Sequence, residues 1–118
     1  MPNLTRGILV EDQFGKTNQV VADAGDAGST TLERSAITGS IAATNTQTVV
    51  FPWVPSECPG KIFSFWYTSI ANTKTVTLKD AAGTTISAQT AAANVTNGGV
   101  VFYSDGVRWW ELVEVAAA

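Results

Sequence analysis

The sequence contains no histidine and a single cysteine, and both shortages exclude kinds of active site. Without histidine, Ser-His-Asp and Cys-His nucleophilic systems and histidine-containing zinc sites cannot form. One cysteine, Cys58, supports neither an internal disulfide nor a cysteine-rich zinc site. It lies between Glu57 and Pro59, without an adjacent basic residue to activate the thiol. We therefore expect Cys58 to be a packing or turn residue.

Charge is also scarce, at 14% of residues and a net charge of −3, where about a quarter charged residues is usual. The basic residues do not cluster, so nucleic acid is not an expected partner. No apolar run approaches the roughly 20 residues that span a bilayer, and the opening residues do not resemble a signal peptide. We expect synthesis in a cytoplasm and no membrane partner. Two interpretations of the low charge stay open: a surface partly covered by neighbours, or a modestly charged β-domain.

The carboxylates do not form a convincing catalytic pair. Glu111 and Glu114 are three residues apart in an apolar run, which predicts opposite faces of a strand. Asp80 and Asp105 occupy turn positions, where aspartate is common because it hydrogen-bonds the backbone. We expect no catalytic residues, no metal site and no cofactor, and therefore no enzymatic activity.

The chain divides by composition near residue 34. Residues 1–34 hold scattered apolar side chains and the small, Gly-rich run "ADAGDAGSTT", and they are predicted to form an extended N-terminal arm and linker. From residue 35 onward, short β-type runs alternate with turn signals. They predict an all-β domain over 35–118, a small β-sandwich or jelly-roll-like fold of about seven strands.

The run "VVFYSDGVRWWELVEV" (100–115) predicts a hairpin. A two-residue turn at Asp105-Gly106 would set Phe102 opposite Trp109 and leave Trp110 on the other face. Both faces of this hairpin, and of the run 62–70, would then carry large apolar rings. A lone 118-residue chain has little means of covering a second face. We expect a homo-oligomer whose interface uses ring side chains: Phe63, Phe65, Trp66, Tyr67, Trp109 and Trp110. Packing inside a monomer and sugar binding remain alternatives for these rings.

The segments "VVFYSDGVRWWELV" (100–113) and "KTVTLKDAAGTTIS" (74–87) resemble strands and turns of bacteriophage virion proteins, in fibres and in capsid-accessory domains. The resemblance covers residues 74–113. It implies a non-enzymatic β-domain, often trimeric, located in the virion.

Capsid decoration (cement) proteins of this kind are small acidic β-domains with an N-terminal arm. The resemblance therefore implies a homotrimer on the capsid surface, with a major capsid protein as partner and a shell stabilised by binding. Apolar residues of the arm would be the anchors to the capsid: Leu4, Ile8, Val10 and Phe14. The alternative is a tail-fibre or receptor-binding tip that recognises a host glycan.

Overall fold

The structure, a computed structural model, describes residues 18–118 as an all-β fold of nine strands in two sheets. The strands are β1 (Asn18–Val21), β2 (Gly28–Thr31), β3 (Thr38–Ala43), β4 (Gln47–Val50), β5 (Ile62–Ile70), β6 (Thr75–Lys79), β7 (Thr85–Thr90), β8 (Val95–Ser104) and β9 (Trp109–Val115). Sheet 1 has the order β1-β3-β5-β8-β9, and sheet 2 the order β2-β4-β6-β7. The predicted all-β, two-layer fold is confirmed, with seven strands after residue 35.

The first six strands alternate between the two sheets. Strands β1, β3 and β5 pair in parallel in sheet 1, and β2, β4 and β6 pair in parallel in sheet 2. Each parallel partner is reached by crossing to the opposite sheet and back, since a tight turn cannot join parallel neighbours. The last three strands add antiparallel pairs: β6 with β7, β5 with β8, and β8 with β9. The sequence pattern predicts the strands but not this order.

The described part of the predicted 1–34 arm contributes to both sheets. Residues 18–21 form β1 and residues 28–31 form β2, so the β-structure begins before residue 35. Val21 and Leu32 are buried in the common core. The Gly-rich run between the two strands is a turn, with Gly25 at φ +89°. Small residues in this run therefore serve a tight reversal rather than a flexible linker.

The core lies between the sheets and is rich in aromatic rings. Phe51, which follows β4, makes edge-to-face contacts with Phe63, Phe102 and Trp109 at centroid distances of 4.8, 5.4 and 5.8 Å. This geometry suits the ring quadrupoles and adds to the gain from burying apolar area. In β6, Val76 and Leu78 face inward as predicted and are fully buried. The core thus joins the two sheets into one layered unit.

The β8–β9 connection differs from the predicted two-residue turn. Ser104 pairs with Trp109 and Tyr103 with Trp110, so the loop has four residues. The Asp105 carboxylate holds it, since Oδ1 accepts hydrogen bonds from the Val107 and Arg108 N–H groups at 2.7 and 2.8 Å. A carboxylate that accepts from the N–H groups two and three residues further on stabilises this four-residue loop in place of the I′ turn.

A β-bulge corrects a second expectation. The register shifts between Val101 and Phe102, so that Val101 pairs with Val113 and Phe102 pairs with Glu111. The extra residue, Leu112, breaks the strict alternation of β9. Glu111 and Glu114 therefore lie on the same side of β9, as partners of the buried Phe102 and Val100, and not on opposite faces.

Candidate binding surface

The side of sheet 1 that faces away from sheet 2, which we call the outer face, is built by cross-strand rows. One row joins Ile62, Tyr103 and Trp110 across β5, β8 and β9. A second row runs Asn18, Thr38, Ser64, Val101 and Val113, and a third runs Val20, Ser40, Trp66, Gly99 and Val115. None of these outward-facing residues is charged.

Large apolar side chains on the outer face are substantially exposed. Ile62 is 59% exposed, Trp66 45%, Trp110 46%, Val113 54% and Val115 48%. Single exposed apolar residues are normal on a protein surface, whereas several in adjacent rows mark an interaction site. The outer face of β5, β8 and β9 is thus the strongest candidate surface on the described residues.

Trp110 is held in a fixed orientation on this face. Its indole Nε1–H donates a hydrogen bond of 2.7 Å to Asp105 Oδ2. The Arg108 guanidinium lies over the ring, 4.8 Å from its centroid. The hydrogen bond from Trp110, together with those from two backbone N–H groups, lowers the pKa of Asp105 to about 2. The carboxylate is therefore ionised at neutral pH and keeps the ring in place.

Trp66 lies flat against the sheet because its neighbour in β8 has no side chain. A Cβ atom on Gly99 would come within 2.3 Å of the Trp66 ring. The pair Trp66 and Gly99 are direct register partners. Glycine therefore opens the space for the ring, as in aromatic–glycine pairs that allow close approach to a sheet. Two of the four tryptophans are in this way pre-ordered on the outer face.

The predicted interface aromatics divide into two groups. Trp66 and Trp110 lie on the outer face, but Phe63, Phe65 and Tyr67 are fully buried and Trp109 is 8% exposed. These four rings pack between the sheets of one chain and are not available to another subunit, so their assignment to an interface is corrected. The expectation failed because the two sheets of a single chain already cover their inward face.

Sequence reasoning missed part of the outer face. Tyr103, Val113 and Val115 were not singled out, although they lie in the same rows as the two exposed tryptophans. The bulge at Leu112 hides Val113 and Val115, because it places them on the same side as Trp110 in spite of the odd spacing. The predicted arm residues Leu4, Ile8, Val10 and Phe14 lie outside the described residues.

Other polar groups have local structural partners. The Asp23 carboxylate accepts hydrogen bonds from the Asn45 side-chain amide and from the backbone N–H groups of Gly25, Thr44 and Asn45, which hold its pKa far below the usual range. Asp80 Oδ1 accepts from the N–H groups of Ala82 and Thr84 across the β6–β7 turn. Both aspartates thus fix turns.

The next features of the described residues are the Cys58 thiol and a depression at one end of sheet 1. Burial raises the pKa of the Cys58 thiol, whose Sγ donates to the Val54 carbonyl at 3.5 Å. Among residues 18–118, no three histidine, cysteine or acidic side chains come together as a metal site. A shallow apolar depression of about 230 Å³ lies at one end of sheet 1, between Ala43, Ile70 and Val95. None of the residues that line the depression is titratable.

Three buried polar side-chain atoms lack a hydrogen-bond partner in the described part of the chain: Tyr67 Oη, Gln89 Oε1 and Trp109 Nε1. The Tyr67 hydroxyl is the titratable one of the three. It is fully buried and has no hydrogen-bond partner among the described residues. Burial raises the pKa of Tyr67 strongly, and the negative charges of Glu114 and Glu111 raise it further. The hydroxyl is therefore neutral, and it is a weak point of packing rather than an activated group.

The described part of the chain contains no helix with the length and hydrophobicity needed to cross a bilayer. Comparisons with protein family models, with curated proteins and with solved structures find no match to this chain. The functional argument therefore depends on the outer face and on the residues of the sequence itself.

Proposed function

We propose that this chain is a non-enzymatic structural protein that works as a building block of a phage virion, as a capsid decoration protein. The observation that carries the proposal is the outer face of sheet 1, where uncharged and apolar side chains are exposed over adjacent strands. A surface of this kind favours a role in assembly. The resemblance of residues 74–113 to virion proteins supports the finer part of the proposal, a capsid decoration protein on the virion surface.

The proposed mechanism is stabilisation of the shell by mass action. A protein that binds only the assembled capsid shifts the equilibrium away from disassembly. Many symmetric copies bind together, so modest contacts give high avidity. The apolar residues Leu4, Ile8, Val10 and Phe14 supply the capsid contact, and the homotrimer stays a prediction.

The test mixes the purified full-length protein with empty capsids of the virus that encodes it. We expect hundreds of bound copies per particle and a higher temperature of capsid disruption. A variant with all four arm residues changed to serine should lose binding while its β-fold is retained. The matched control changes polar residues of the same segment: Thr5→Ser, Gln13→Asn and Thr17→Ser. A few copies per particle, or equal loss in both variants, would contradict the decoration role.

Glycan recognition by a fibre tip is the second candidate, and the fixed, half-exposed indole of Trp110 favours it. Exposed aromatic rings can stack on the apolar faces of sugars. A glycan array probed with the wild-type protein and with Trp110→Ala tests this candidate. Saturable binding that Trp110→Ala abolishes, without capsid binding, would replace the decoration role by the fibre role.

A further inference from the structure

We propose that a second copy of this chain packs on the outer face of sheet 1. The inference goes beyond the proposed function because it concerns the isolated protein and stands whether or not a capsid is the final partner. It assigns the apolar part of the contact to six residues of β5, β8 and β9: Ile62, Trp66, Tyr103, Trp110, Val113 and Val115. The uncharged outward-facing residues of β1 and β3 form the rest of the contact. Two copies that meet face to face bury the same residues on both chains.

The absence of charge on the outward-facing residues of these strands points to a second copy as the occupant. Outward-facing strand residues without charge meet no like-charge repulsion when the face packs on an identical face, as a two-fold symmetric contact requires. Asp105 and Arg108 lie at the border of the face beside Trp110, on the β8–β9 loop. An apolar centre with a polar rim is the usual anatomy of a protein interface.

The size of the face is adequate for a specific contact. Five strands averaging about seven residues, at about 3.3 Å per residue and 4.8 Å between strands, cover roughly 550–600 Å². Two such faces in contact remove about 1,100–1,200 Å² from water, which is close to the lower limit for specific interfaces. We therefore expect association of moderate strength.

The two tryptophans on the face are already ordered, which lowers the entropy cost of association. Trp110 is held by Asp105 and Arg108, and Trp66 lies on Gly99. Tryptophan is one of the residue types most enriched among those that dominate interface energies. The single chain thus already holds both tryptophans in the orientation that the contact uses.

Association through the free edge of β9 is less favourable than association through the face. Glu111 and Glu114 lie on the inner side of β9 and are exposed beside this edge. Two β9 strands pairing antiparallel would bring these carboxylates of the two copies close together, and inward-pointing charges of this kind protect sheet edges. The apolar face carries no such obstacle.

The test measures the mass of the full-length protein by light scattering and sedimentation over a wide concentration range. We expect an assembly of two or three chains for the wild type. Ile62→Lys and Val113→Lys place a charge on the face and should raise the dissociation constant about tenfold or more, since a buried unpaired charge opposes association. Circular dichroism checks that both variants fold, and Ile62 lies in β5, away from the β9 edge.

Val107→Lys is the matched control. Val107 is also an exposed valine, at 82%, but it lies in the β8–β9 loop and not on the face, and its substitution changes the net charge equally. It should leave the mass unchanged. A wild-type protein that remains a single chain at every concentration overturns the proposal. Dissociation by Val107→Lys as large as by Val113→Lys also overturns it, and so does a mass that Ile62→Lys leaves unchanged.

Discussion

At the residue scale, three aspartates in turns explain much of the local structure. Asp23, Asp80 and Asp105 each accept hydrogen bonds from backbone N–H groups that lie beyond the ends of the strands. The sequence predicts this role for Asp80 and Asp105 from their positions between apolar runs, and the structure confirms it. It does not predict that Asp105 also holds Trp110, because that contact depends on a four-residue loop.

The Asp105 carboxylate should make stability depend on pH. Its pKa is about 2 in the folded protein against an ordinary value of 3.8. A lowered folded-state pKa means that the stabilisation is present above the unfolded pKa and is lost as the pH falls from about 4 to about 2. Asp105→Asn should therefore lower the melting temperature at neutral pH. In acid, the melting temperatures of the variant and of the wild type should lie closer together.

Thermal unfolding followed by circular dichroism at several pH values checks this expectation. Asp26→Asn, in the exposed β1–β2 turn, is the control because it changes the net charge by the same amount. Equal pH dependence of wild type and Asp105→Asn would contradict the role assigned to the carboxylate.

The unpartnered Tyr67 hydroxyl gives a second prediction. The Tyr67 hydroxyl has no hydrogen-bond partner within residues 18–118, so Tyr67→Phe should keep the free energy of unfolding within about 1 kcal/mol of wild type or raise it. Ser104→Ala is the contrasting variant, since the buried Ser104 hydroxyl donates to the Pro55 carbonyl at 3.0 Å. It should cost about 1–2 kcal/mol. Urea unfolding measures the free energy of unfolding of both variants. A loss of more than about 1 kcal/mol for Tyr67→Phe would contradict the expectation.

At the element scale, strand positions are largely predictable and strand partners are not. Runs such as 73–80 alternate in hydrophobicity, and alternation is a local property that the structure confirms in Val76 and Leu78. Parallel pairing of β1 with β3 joins residues about 20 positions apart, with a strand of the other sheet between them. No local pattern encodes that partner. The same limit explains why the sequence alone predicts an interface role for Phe63 and Tyr67.

A close approach within sheet 1 yields an element-scale prediction. A Cβ on Gly39 in β3 would lie 2.8 and 2.9 Å from two ring atoms of the buried Phe65 in β5. Gly39→Ala should therefore overpack the core and lower the free energy of unfolding by about 1–3 kcal/mol. Ala42→Ser, at an exposed position of the same strand, is the control. Urea unfolding measures the free energy of unfolding of both variants. An unchanged value for Gly39→Ala would contradict the prediction, because it would mean that the Phe65 ring moves aside freely.

At the scale of the whole molecule, the two sides of sheet 1 have different roles. The inner side packs against sheet 2 and supplies the core, whereas the outer side leaves Trp66 and Trp110 exposed. The sequence therefore predicts part of the candidate surface. It shows that both faces of β5 and of the β8–β9 hairpin carry aromatic rings, but only the packing of the two sheets shows which rings stay exposed. The proposals about assembly depend on that division.

The boundary of the folded unit gives the last prediction. Deleting residues 1–34 removes β1 and β2, and with them the buried Val21 and Leu32, each worth about 2 kcal/mol of burial. Since a domain of this size has only about 5–15 kcal/mol of stability, this deletion should prevent cooperative folding or nearly so. Deleting residues 1–17 keeps all nine strands and should leave a cooperative thermal transition. Circular dichroism and urea unfolding of the two truncated chains compare them directly. Equal stability of the two would mean that β1 and β2 add little to the fold, and that the arm extends to residue 34.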